Sequence, residues 1–190
     1  MPEIDRWVIG QACRQLQLLR QSSSGANSGT CFINLSANSL SDDNLIEYIR
    51  QQLNSHAIAP PSIGFEITET AAVADFECAC QLLEAIRALG CKVALDDFGT
   101  GMSSFSYLRS LPVDYIKIDG QFVKAMLSNE IDRAIVEAVN NISHIAGIQT
   151  IAEYVENEAI LQRLLAMNVD YAQGWAIERP KPFTSPGRGG

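Results

Sequence analysis

The sequence predicts an α/β fold of parallel βα units, and a TIM-type (β/α) barrel in preference to an open doubly wound sheet. Three observations lead there. Short β-rich runs recur along the chain: CFINLS, IGFEITE, KVALDD, DYIKID, QTIAE and DYAQG. Helical patterns lie between them, so the strands connect by crossovers rather than hairpins. Four of the strands set an aliphatic pair on one face against a polar residue on the other.

The elements follow in order. The opening segment PEIDRWVIGQACRQLQLLR places Ile4, Trp7, Val8, Cys13, Leu16 and Leu19 at roughly helical spacing and ends in the polar loop QSSSGANSGT. In the first strand Ile33 and Leu35 oppose Asn34, and in the second Phe65 and Ile67 oppose Glu66. The helix FECACQLLEAIRALG follows, with Phe76, Cys80, Leu83 and Ile86 on one face and Gly90 as its stop. In the next strand Val93 and Leu95 oppose Asp96, with Asp97 immediately after; then Ile116 and Ile118 oppose Lys117. Asp119 is placed to cap a short helix, and the longer helix that follows carries Ile131, Ile135, Val139 and Ile142 on one stripe. TIAE fits least well, because Ile151 shares a face with Glu153. A doubly wound sheet is apolar on both faces. A barrel packs its aliphatic side on the outer helices and gathers polar residues on the axis, near the C-terminal strand ends. Phe98, Trp7 and Trp175 read as packing residues, and the isolated His56 and His144 as non-catalytic.

Composition narrows the function. The chain has 190 residues, 47% of them hydrophobic and 19% charged, which suits one folded domain over residues 1–183 with a flexible tail, TSPGRGG, at 184–190. A formal net charge of -8 disfavours nucleic acid polymers and anionic membranes as partners. A phosphate-bearing substrate remains open where a metal cation sits between carboxylates and phosphate. The five cysteines have no C-x-x-C spacing and read as reduced, which fits the cytoplasm. No apolar run is long enough to insert directly into a membrane.

On the barrel axis the polar set is Asn34, Glu66, Asp96, Asp97, Lys117 and Glu153. Carboxylates this close must take up protons or bind cations, and donors of this kind suit hard ions such as Mg²⁺ or Mn²⁺. Two such ions can clamp the attacking and leaving oxygens of a phosphoryl displacement, and Lys117 can orient a water. Acidic barrel mouths also serve enolisation, aldol and sugar chemistry.

The stretches NLS, FEITET, LDDFGTGMSSFSYLRSLPVDYIKIDGQFV, TIAEYVE and AQGWAIERP occur in that order across nearly the whole chain. Together they resemble the successive motifs of the EAL-domain family, the cyclic di-GMP phosphodiesterases. The resemblance implies a TIM-type barrel that hydrolyses cyclic di-GMP to linear pGpG with Mg²⁺ or Mn²⁺. It implies Asn34, Glu66 and Asp96 as ligands of one metal and Asp97 of a second. Lys117 then contacts the nucleophilic water, Glu153 supports the metal and water site, and Glu156 and Gln173 lie at the nucleotide. Glu69 holds the DFGTGMSS loop, which in this family couples the site to dimer contacts, so a homodimer is expected. Glu69 and Glu156 also suit a simpler role as acids at helix N-termini.

The chain departs from the family pattern in places. No Glu-Ala-Leu occurs in the sequence, so the chain is expected to begin after the strand that carries it, with about six of the eight barrel strands. Completion by another chain or an upstream segment is then expected, since a missing pair of strands leaves open edges. Tyr154 stands where glycine is usual and is expected to crowd the site; Trp175 and Met102 stand where tyrosine is common. A non-catalytic cyclic di-GMP receptor and a protein-interaction module are the alternative readings.

Overall fold

The computed structural model describes residues 2–22, 29–100 and 105–181, so the expectations for Met102 and for the tail 184–190 lie outside the described residues. In chain order the elements are α1 (Pro2–Ser22), β1 (Cys31–Asn34), α2 (Leu45–Ser55), β2 (Ile63–Thr68), α3 (Glu69–Ala74), α4 (Phe76–Ala88) and β3 (Lys92–Phe98). Then come β4 (Tyr115–Ile118), α5 (Gly120–Ala125), α6 (Glu130–Ile145), β5 (Gln149–Ala152), α7 (Glu158–Ala166) and β6 (Tyr171–Ala172). Strand order follows the chain, β1-β2-β3-β4-β5-β6. The chain divides into two compact units, one of residues 1–67, 75–93 and 181–190, the other of residues 68–74 and 94–180.

In the first unit β1 pairs in parallel with β2, Phe32 opposite Gly64 and Asn34 opposite Glu66. The Phe32 ring lies across Gly64, where a Cβ would come within 2.4 Å of it. Leu35 N–H donates to the Glu66 carbonyl at 2.8 Å and continues the ladder past Asn34. Helix α1 turns Asp5, Ile9, Cys13 and Leu16 inward. That corrects the face read from apolar spacing, since Ile4 and Trp7 are 56% and 64% exposed. Asp5 is the physical reason. Its Oδ2 accepts from Ser36 N–H at 2.9 Å, Ser36 Oγ at 2.7 Å and Ser39 Oγ at 2.5 Å, which rotates its apolar neighbours outward.

Arg6 adds a forked pair to Asp42, so adjacent residues of α1 hold both ends of the 3₁₀ turn Ala37–Ser41. Removing the Asp5 acceptor leaves buried donors without a partner, and Asp5→Ala is expected to cost on the order of 2–3 kcal/mol in urea denaturation. In α4 the buried face is Ala79, Leu82, Leu83 and Ile86, while Phe76 and Cys80 are half-buried. Gly90 ends the helix with φ +88. All five cysteines are free, and burial pushes the Cys13 and Cys91 thiols up to about 11 and about 12, so they stay protonated.

In the second unit β4 pairs with β5 and β5 with β6, all in parallel. Helix α6 buries Val136, Val139, Asn140 and Ser143, leaving Ile131 71% exposed and off the expected stripe. Again a polar residue sets the face. The Asn140 amide donates to the Met167 carbonyl at 2.9 Å and accepts from Thr150 Oγ1 at 2.6 Å. Asp170 completes this tie, accepting from Thr150 N–H at 2.8 Å and lying 2.8 Å from His144 Nε2. His56 lies 2.9 Å from Gln17 Oε1 in the first unit.

Candidate functional site

The two adjacent aspartates sit on a break in the ladder. Leu95 pairs with Ile116 and Phe98 with Ile118, so Asp96 and Asp97 together oppose the single residue Lys117. This is a β-bulge, and Asp97 within it takes a left-handed conformation with φ +54. Strict alternation would send the two side chains to opposite faces. The bulge instead brings carboxylate oxygens of Asp96, Asp97 and Glu153 within 4.8 Å of one another. Glu153 arrives from the strand beyond: Lys117 pairs with Ile151, and Glu153 N–H donates to the Ile118 carbonyl at 3.3 Å.

Lys117 is the internal counter-ion. Its Nζ lies 2.9 Å from Asp96 Oδ1 and 2.8 Å from Glu153 Oε1, and all three residues are buried. Burial pushes the Asp97 carboxyl up; Asp96 and Asp119 push the same way, Lys117 opposes them, and a hydrogen bond with Asp119 adds to the rise. Three carboxylates against one ammonium leave an excess of negative charge, presented entirely through oxygen. That donor set fits a hard divalent cation.

The loop after β3 is tied to α3. Glu69, buried at the start of α3, accepts from Gly99 N–H at 3.0 Å and from the Tyr107 hydroxyl. Thr100 Oγ1 donates to the Asp97 carbonyl at 3.1 Å. Asp119 caps α5 by accepting from Gln121 N–H at 2.7 Å, and Phe98 is buried as expected.

Beside Glu153 opens a pocket of about 360 Å³ whose lining includes Lys124, Tyr154, Glu156, Gln173 and Trp175. The packing role expected for Trp175 is corrected: it is 63% exposed, with the Arg179 guanidinium 5.0 Å from its ring centroid. Lys124, which sequence reading did not single out, lies 3.4 Å from Glu156 and 4.1 Å from the Tyr154 ring centroid. Its only signal was position, one helical turn after the Asp119 cap. Of the remaining expected residues, Asn34 is exposed and Glu66 buried, paired in register in the first unit.

The chain is 45% identical over 185 residues to the cyclic di-GMP phosphodiesterase PdeB of Shewanella oneidensis, covering 97% of this chain and 21% of that protein. It is 37% identical over 181 residues to the cyclic di-GMP phosphodiesterase PdeA of Borreliella burgdorferi, covering 95% of this chain and 27% of that protein. The chain thus spans between a fifth and a third of the curated relatives it matches. Among solved structures, the PaMucR phosphodiesterase in its c-di-GMP complex superposes with a TM-score of 0.88 at 33% identity, over 95% of this chain and 72% of that one. The shared fold is the TIM-type barrel, as the parallel βα units of the sequence predict. Since the EAL domain matches residues 1–180 of the 190, this chain belongs to the EAL domain family.

Proposed function

We propose that this chain hydrolyses one phosphodiester of cyclic di-GMP to give linear pGpG, using Mg²⁺ or Mn²⁺. The observation that carries the reading is the convergence of Asp96, Asp97 and Glu153, with buried Lys117 paired to Asp96 and Glu153, beside a pocket that holds Glu156 and Gln173. The relatives named as cyclic di-GMP phosphodiesterases supply the substrate.

Asp96 and Asp97 are the oxygen ligands, with Asn34 and Glu66 assigned as further ligands by the family motif. When bound, a divalent cation polarises the phosphoryl oxygens and acidifies a water. The protein does the rest. Lys117, held by Asp96 and Glu153, places a positive charge where a water is oriented and negative charge develops. The Glu156 carboxylate and the Gln173 amide offer an acceptor and a donor–acceptor pair to the edges of a guanine. Glu69 keeps the loop from Gly99 against α3 and so fixes the chain that leaves Asp97; the family resemblance supports a homodimer contact coupled to this segment. Among the described residues no helix is long and apolar enough to cross a membrane. The five free cysteines support a cytoplasmic setting for the reaction.

The test incubates the purified chain with cyclic di-GMP and Mn²⁺ and separates the products by chromatography. Linear pGpG is expected, abolished by Asp96→Asn and absent in EDTA. Bound but uncleaved cyclic di-GMP would overturn the catalytic reading in favour of a receptor.

A further inference from the structure

The pocket beside the acidic cluster contains a feature that hydrolysis does not require. Tyr154 directly follows Glu153 and holds a left-handed backbone, φ +51, which a side chain rarely adopts without support. The support comes from α5. A Cβ on Gly120 would lie 2.1 Å from Tyr154 Cδ2 and 2.6 Å from its Cγ, so the ring is seated where α5 has no side chain. Lys124 lies four residues further along this helical stretch, on the same face, and its Nζ sits 4.1 Å from the ring centroid. Gly120 and Lys124 of α5 are therefore both packed close to the ring. The residue is nevertheless 57% exposed and lines the pocket with Glu156, Gln173 and Trp175.

We infer that the exposed ring of Tyr154 is a stacking platform for a purine base, and that Tyr154 is a specificity-determining residue for the substrate. The inference rests on the proposed cyclic dinucleotide substrate and names which surface receives a base. Three observations favour stacking over the crowding expected from sequence. The ring is held by the α5 backbone and a cation, so little freedom is lost when a base lands on it. The Lys124 ammonium lies 4.1 Å from the ring centroid, a cation–π contact that helps to fix the ring's orientation. The same ammonium lies 3.4 Å from Glu156, which keeps that carboxylate beside the platform, where it can accept from the N–H groups on a guanine edge. In a chain of net charge -8, Lys124 also places a cation in the lining of this pocket for an anionic ligand.

The experiment compares wild type with Tyr154→Phe, Tyr154→Leu and Tyr154→Gly, measuring kcat and KM for cyclic di-GMP with Mn²⁺ and, by calorimetry in EDTA, the Kd for GMP and for UMP. Phenylalanine is expected to keep both constants near wild type. Leucine and glycine are expected to raise KM and the GMP Kd roughly tenfold, with kcat changed less than about twofold. UMP is expected to bind more weakly than GMP to wild type and to depend less on residue 154. Unchanged or lower KM in Tyr154→Gly would overturn the inference and establish crowding, while leaving the hydrolase reading intact. Tyrosine-dependent GMP binding without any cleavage would remove the hydrolase reading and leave the platform standing.

Discussion

Lys117→Met is expected to lower the stability of the metal-free chain by roughly 3–5 kcal/mol, the range for removing one partner of a buried ion pair. The lysine is buried and touches two buried carboxylates at 2.9 and 2.8 Å, with Asp97 completing the acidic group. Methionine fills similar volume, so the loss isolates charge from packing. Without the ammonium the carboxylates must protonate or repel one another. A divalent cation answers the same need from outside. Mg²⁺ or Mn²⁺ is therefore expected to raise the melting temperature of Lys117→Met by more than it raises that of wild type. Thermal denaturation of both proteins, with EDTA and with each metal, reads this directly. Equal melting in EDTA would mean that Lys117 is not the counter-ion that holds the cluster together.

Gly174→Ala is expected to be the most damaging exchange of a small residue. A Cβ at this position would lie 2.3 Å from Val155 N and 2.4 Å from Val155 O, both backbone atoms that no rotamer change can move. Three hydrogen bonds lock the two segments at that separation: Gln173 N–H to Ala152 O at 2.8 Å, Val155 N–H to Gln173 O at 3.0 Å and Ala176 N–H to Val155 O at 2.9 Å. One methyl group must break that lattice or force it apart, at a cost of about 3 kcal/mol. Because Gln173 and Trp175 flank the glycine, the pocket opens with it. Urea denaturation against Gly29→Ala, a position with nothing within 4 Å, measures the effect. The control is expected to stay within about 0.5 kcal/mol of wild type. A Gly174→Ala change equally small would show that the close approach is not a constraint.

Much of this is legible in the amino-acid sequence. The alternation of β-rich runs and helical patterns described parallel βα units because period two and period 3.6 are properties of the backbone. The same alternation put Glu66, Asp96 and Lys117 opposite aliphatic residues, and all three are buried. What stayed hidden has a common cause. Apolar periodicity assumes that polar residues face water, and Asp5 and Asn140 do not, because partners elsewhere in the chain satisfy them. Each rotates its helix away from the apolar stripe and leaves Trp7 or Ile131 outside. The bulge was equally invisible, since nothing in Leu-Asp-Asp-Phe says that two residues share one partner. Trp175 was misjudged from residue type alone, and Lys124 matters only through Tyr154 and Glu156, which sequence does not place beside it.

The doubled residue opposite Lys117 has a consequence for how this strand tolerates change in length. Deleting Asp96 or Asp97 would restore an unbroken ladder from Leu95 to Phe98, remove a left-handed non-glycine residue and relieve one raised carboxyl. A shorter chain would thus make a more regular sheet. The extra residue persists as a local irregularity whose return is one more oxygen donor on a single face, which ties the acidic cluster to backbone count as firmly as to side-chain identity.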